Sequence, residues 1–169
     1  HWLNDIGYGG GYHIQTGPQG QLWTSVDGIN FTKRSTPDTD DLTHIAYGNG
    51  TWVVRKFWQS GKVLVSTNAV NWSTVDTGGA PSRWYNSVRF GNGRFVFPVG
   101  NGVRVSSDGK NWNYHAVSHP DVSKGISDNN FRDGLFYSWQ VDSSAPDGNG
   151  LYTCYLLTSA DGISWSTQT

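Results

Sequence analysis

Glutamate is missing altogether from these 169 residues: all 13 acidic side chains are aspartates. Methionine is missing too, even at position 1, from which we expect a processed product or a piece of something longer. There is a single cysteine, Cys154, so no intrachain disulfide can form and the redox compartment stays open. No apolar run approaches the roughly 20 residues of a membrane helix, and no signal-peptide pattern opens the chain. Twelve Lys and Arg against 13 Asp give a net charge of −1, which leaves no basic footprint for nucleic acid or anionic membrane. Helix formers are scarce and no long stretch has a 3.6-residue period. These absences predict an all-β chain.

What is plentiful is glycine (22) and aromatic side chains (9 Trp, 8 Tyr, 7 Phe), as short strands joined by tight turns require. The strands come in repeats. TSVDGINF (24–31), VSTNAVNW (65–72), VSSDGKNW (105–112) and TSADGISW (158–165) align on Ser25, Ser66, Ser106 and Ser159. Ahead of them lie IGYGGGYHI, IAYGNGTWVV, VRFGNGRFVF and NNFRDGLFYS, aligned on Tyr8, Tyr47, Phe90 and Phe131. A period near 40 made of short strands predicts propeller blades of four strands each. The third unit reads as strand A at 84–90, B at 94–99, C at 103–106 and D at 111–117. The expected fold is a small β-propeller of four four-stranded blades, or a four-blade segment of a larger one, within one domain. Its blades span about 1–35, 36–76, 77–117 and 118–169.

The aspartates Asp27, Asp108 and Asp161 sit in the C–D turns, where a carboxylate accepts hydrogen bonds from the turn's own backbone. The next residue, glycine, takes the left-handed conformation cheaply. The second unit carries Asn68 and Ala69 instead. Asn keeps the acceptor oxygen, and Ala there costs about 1 kcal/mol. A turn survives such a change and a catalytic carboxylate does not, so these positions read as structural.

This Ser/Thr-x-Asp-Gly-x-x-Trp/Phe pattern resembles the Asp-box, or BNR repeat, of sialidase-like β-propellers, and the likeness covers essentially the whole chain. The resemblance implies a propeller fold with the boxes on the face away from any active site. It implies no particular activity, since the box occurs in glycosidases, lectins and sorting receptors alike. Sialidases of that kind use a Tyr assisted by a Glu, an Asp acid/base and three Arg. Here there is no Glu, and the seven arginines (34, 55, 83, 89, 94, 104, 132) match no family motif. An Asp pair drawn from Asp38, Asp40, Asp41, Asp121 and Asp142 is the remaining route to glycoside hydrolysis, which needs two carboxylates at a set separation.

Other constellations are weaker. His1 suggests a copper site only if His13, His44 or His115 faces it. DTDD (38–41) and DGNG (147–150) lack calcium-loop spacing. No metal or cofactor is therefore expected. Cys154, in the apolar LYTCYLL, reads as a core thiol. Trp23, Trp52, Trp72, Trp112 and Trp165 occupy repeat positions and are expected in the core; Trp2 and Trp84 repeat in strand A and are expected near the axis.

If the C–D turns take one face of the propeller, the B–C and D–A loops share the other, and these vary as functional loops do. Trp58 stands out there, with Gln59 and Arg55 beside it, because a flat ring next to amide and charged groups suits a sugar. Trp139, Arg83, His119 and Asp142 complete the expected ligand-binding set. The expected function is a non-catalytic recognition module of a secreted, cell-surface or phage-tail protein, with a glycan or cell-surface polysaccharide as partner. One alternative is a structural or protein-interaction domain of an extracellular assembly, binding sister subunits. The other is a degenerate glycoside hydrolase.

Overall fold

A computed structural model describes residues 3–37, 39–57, 61–78, 87–117, 126–142 and 153–168, the last two of the 126–142 stretch by backbone alone. Among these residues there are 16 strands and no helix. The first sheet holds β1 (Asp5–Gly9), β2 (Tyr12–Thr16), β3 (Leu22–Ser25) and β4 (Thr32–Arg34). The second holds β5 (Leu42–Gly48), β6 (Thr51–Lys56), β7 (Lys62–Ser66) and β8 (Ser73–Asp76). The third holds β9 (Arg89–Gly91), β10 (Arg94–Val99), β11 (Gly102–Ser106) and β12 (Asn113–Ala116). The fourth holds β13 (Asn129–Arg132), β14 (Leu135–Asp142), β15 (Thr153–Ser159) and β16 (Ser166–Gln168). Each sheet is an antiparallel meander in chain order. Each is one blade of a four-blade β-propeller.

The hairpins follow from turn chemistry. The A–B turns are Gly10–Gly11, Asn49–Gly50, Asn92–Gly93 and Asp133–Gly134, with φ between 46° and 80° at all eight residues. Two successive positive φ angles suit the right-handed twist of the flanking strands. Strand B of the third blade spans 94–99 as expected; strand A begins only at Arg89, residues 84–86 lying outside the described set.

Alternation along the strands gives each sheet two apolar faces, and the core forms where blades meet. One cluster joins Ile14 and Leu22 of the first blade to Ile45, Trp52 and Leu64 of the second. The next joins Val53, Val63 and Val65 to Val88, Phe95 and Phe97. The third joins Val96, Val103 and Val105 to Ile126, Phe136 and Leu157. Four blades thus share three cores, and among the described residues no cluster joins the fourth blade to the first. The four four-stranded blades are those expected from the sequence. The A strands touch one another in sequence, β1 with β5, β5 with β9 and β9 with β13, so they form the inner edge.

Three tryptophans expected in the core, Trp23, Trp112 and Trp165, are only partly buried, whereas Trp52 and Trp72 are buried. The former three lie in strand C or at the start of strand D, toward the outer edge of each blade. Trp2 and Trp84 lie outside the described residues. Cys154 corrects the expectation of a core thiol: it is exposed. It lies in β15 opposite Val141, on a face of the fourth blade that no other blade covers among the described residues.

Candidate functional site

The C–D turns are closed by their own aspartates. Asp27 accepts the N–H groups of Ile29 (2.9 Å) and Asn30 (2.8 Å), the Asn30 amide (2.7 Å) and the Ser25 hydroxyl (2.7 Å). Asp108 repeats the set with Lys110, Asn111 and Ser106, and Asp161 with Ile163, Ser164 and Ser159. Asn68 accepts from Val70 (3.0 Å) and Asn71 (2.8 Å) through Oδ1. The donors from Asn30, Ile29 and Ser25 hold the Asp27 carboxyl well below the ordinary carboxylate range. For Asp108 and Asp161 partial burial opposes ionisation, but the same donors outweigh it, and Asp161 falls to about 2. Such carboxylates are fixed acceptors with little capacity left for a substrate. Ala69 does adopt the left-handed conformation, φ 60°, and its methyl group is buried in the first core cluster.

The expected ligand set divides. Trp58, Gln59, Arg83 and His119 lie outside the described residues. Arg55 corrects the loop assignment: it belongs to β6, is 2% exposed, and its guanidinium lies over the Phe97 ring of the next blade at 4.1 Å. Among the described residues its Nε and Nη1 have no hydrogen-bond partner, and burial pushes it down to about 10. Asp142, expected in a loop, has its backbone in β14, paired with Thr153. Strand pairing extends the hairpin three residues, 140–142, into the stretch 140–150 expected as the B–C loop.

Trp139 is different. It is in β14, yet 47% exposed, because Phe136, Ser138 and Gln140 take the side buried against the third blade. Tyr137 lies two residues before it on the same face. Leu156 is its cross-strand partner, and Asn130 is that of Tyr137. These side chains, with Asp128 and with Arg89 from the third blade, line a cleft of roughly 200 Å³. Asp128 is fixed by the Ser87 N–H (2.8 Å), the Ser87 hydroxyl and the N–H of Asn129 (2.9 Å). The Ser138 hydroxyl donates to the carbonyl oxygens of Ser127 (2.9 Å) and Asp128 (3.0 Å), holding the entry to strand A against strand B. The cleft therefore combines a flat aromatic and apolar wall with one guanidinium, one carboxylate, the Ser138 hydroxyl and two asparagines, Asn129 and Asn130.

Sequence reasoning missed the inner half of this site. Asp5, His44, Ser87 and Asp128 each stand three residues before the strand-A aromatic, a spacing readable in the repeats. At the inner edge the Asp5 carboxylate accepts the Ile45 N–H (3.0 Å), as Asp128 accepts that of Ser87. Burial holds His44 below its ordinary range; Asp5 and Asp128 oppose that shift, and Arg89 and Arg55 add to it. Among the described residues no group of three His, Cys, Asp or Glu is arranged to hold a metal ion.

Sixteen strands in four meanders, stacked through their faces with the A strands innermost, define a β-propeller. Solved propellers are correspondingly similar. YCF48 from Cyanidioschyzon merolae superposes with a TM-score of 0.65 at 14% identity, over 99% of this chain and 56% of that one. The WD40 domain of Neurospora crassa Pan2 gives 0.66 at 13%, over 97% and 50%. An ancestral GH74 enzyme gives 0.64 at 19%, over 99% and 25%. The chain thus spans about half the length of the first two and a quarter of the third. No family model matches the chain, and no curated protein matches it.

Proposed function

We propose that this propeller is a non-catalytic recognition module that takes a carbohydrate in the cleft of the fourth blade. The observation that carries the reading is Trp139: a half-exposed indole on a flat strand face, flanked by Tyr137 and by the polar groups of Arg89, Asp128 and Asn130. An indole face packs on the C–H face of a sugar, and charged and amide groups at its edge bond the hydroxyls. Glycoside hydrolysis needs two carboxylates across the scissile bond. Among the described lining residues there is one, Asp128, and it is engaged by Ser87. The Ser-x-Asp-Gly turns support an Asp-box ancestry, and the glycan reading fits a secreted, cell-surface or virion setting.

The test is a glycan array read with the wild type and with Trp139→Ala. Expected is sugar-selective binding that falls at least about tenfold in the variant. Silence across the array, or binding indifferent to the substitution, refutes the reading. Turnover of a fluorogenic glycoside would refute its non-catalytic half.

A further inference from the structure

The three internal junctions share one construction. A strand-A aromatic of each blade sits on a glycine of the blade before it: Tyr47 on Gly9, Phe90 on Gly48 and Phe131 on Gly91, with no room for a Cβ at any of the three glycines. In the second and third blades the following asparagine reaches across. Asn49 Nδ2 donates to the carbonyl oxygens of Gly93 (3.0 Å) and Ser107 (2.9 Å), and Asn92 Nδ2 to those of Gly134 and Ala160 (both 2.8 Å). Each blade therefore has a leading face that presents the aromatic and a trailing face that receives one.

One face of each kind is left over. On the first blade Ile6 and Tyr8 stand where Ile45 and Tyr47 stand in the second, yet they are 58% and 68% exposed. Val26 and Ile29 extend that apolar surface along the C–D turn; at the position of Ile29 in the fourth blade, Ile163 packs on the core between blades three and four. The uncovered trailing face of the fourth blade carries Trp139 and Leu156. Of nine exposed large hydrophobic side chains among the described residues, seven belong to the first and last blades. The unburied surface is thus concentrated at the two ends of the array.

We propose that a second copy of this chain occupies both ends, the first blade of each copy stacking on the fourth blade of the other to close an eight-bladed ring with two-fold symmetry. The interface continues one that the chain already forms three times. Because the joint is head to tail, closure after two copies is what separates a dimer from a filament.

The joint between copies differs from the internal ones. The receiving glycine is replaced by Arg132, and the asparagine by Asp133, whose carboxylate pairs with Arg132 at 3.1 Å and cannot donate a hydrogen bond. Tyr8 of the second copy therefore seats less deeply than Tyr47 or Phe90. The dimer is weaker than the internal stacking and dissociates on dilution. The joint covers the face that carries Trp139, as the third blade covers its counterpart Arg55 in the second, so a second copy and a sugar in the cleft exclude each other.

Sedimentation velocity over a dilution series, without sugar, tests this. The wild type is expected to pass from monomer to dimer as concentration rises. Tyr8→Asp is expected to stay monomeric while keeping the melting temperature that the wild type shows at monomer concentrations, because the side chain is exposed in the single chain. Arg132→Gly with Asp133→Asn rebuilds the internal seat and is expected to lower the dimer dissociation constant at least about tenfold. A wild type monomeric at every concentration, an open series of larger species, a dimer unmoved by Tyr8→Asp, or a double variant that binds no tighter would each overturn the proposal. The glycan array, read on monomer at low concentration, answers separately, so failure here leaves the reading of the cleft standing, and the reverse.

Discussion

Substituting alanine for Gly91 tests the stacking of blades directly. Gly91 lies in strand β9 with no left-handed backbone requirement, so the cost of a methyl group there is steric. A Cβ at this position falls on Cδ2, Cε2 and Cγ of Phe131, more than about 1 Å inside the ~3.5 Å of ordinary carbon contact. The ring has no simple retreat, because its centroid is already 4.7 Å from that of Phe136 and it packs against the third core cluster. Forcing a shift of that size into a packed core costs typically 1–3 kcal/mol, and the upper end, about 3 kcal/mol, applies to an aromatic held on both sides. In a chain of this length each kcal/mol lowers the melting temperature by about 2–4 °C, so Gly91→Ala is expected to melt ~6–12 °C below the wild type. Gly93→Ala is the control. Gly93 has φ 77° and nothing within 4 Å of its added Cβ, so it loses only the backbone preference, about 1 kcal/mol and ~2–4 °C. Thermal unfolding followed by far-ultraviolet circular dichroism measures both. If Gly91→Ala melts at or above Gly93→Ala, the knob-and-seat account of the junctions is wrong.

Three further outcomes follow from the buried and saturated charges. Asp108→Asn keeps the acceptor that Asn68 uses in the second blade and is expected to cost less than 1 kcal/mol, whereas Asp108→Ala strands the Lys110 and Asn111 donors and costs about 1–3 kcal/mol by chemical denaturation. Since the turn aspartates titrate below their unfolded value of 3.8, their stabilisation is complete above that pH and is lost as pH falls toward the folded value, about 2 for Asp161. Melting temperatures between pH 5 and pH 2 should drop in the wild type and drop less steeply in an Asp27→Asn, Asp108→Asn, Asp161→Asn variant; parallel curves would refute the linkage. Arg55→Met exchanges a buried cation with two unpaired N–H groups for an apolar chain of similar reach. It is expected to leave the melting temperature unchanged or raise it, and a fall of several degrees would reveal a partner that the charge requires.

Sequence reading put Arg55 in a loop and Cys154 in the core, both corrected by the structure, and expected Trp139 at a ligand site without showing which face would expose it. All three lie on trailing faces of B and C strands, Arg55 in the second blade and the other two in the fourth. Alternation assigns each to a face and says nothing of whether another blade covers it. In the second blade that face meets Phe97, so an arginine is buried. In the fourth, the equivalent face meets no other blade among the described residues, and a tryptophan and a cysteine are exposed. The same ambiguity hid the receiving glycines, which look like ordinary turn residues in Gly-Asn-Gly until the neighbouring aromatic is seen above them.

By itself the sequence determined what is local: sixteen short strands, hairpins set by paired positive-φ residues, and aspartates that close turns with their own backbone. These depend on interactions within a few residues, and the repeat states them four times over. The tertiary structure alone decided which sheet faces are covered, where the array stays open and which side chains form the cleft. Those properties arise from stacking one blade on the next, and that contact joins residues about 40 positions apart.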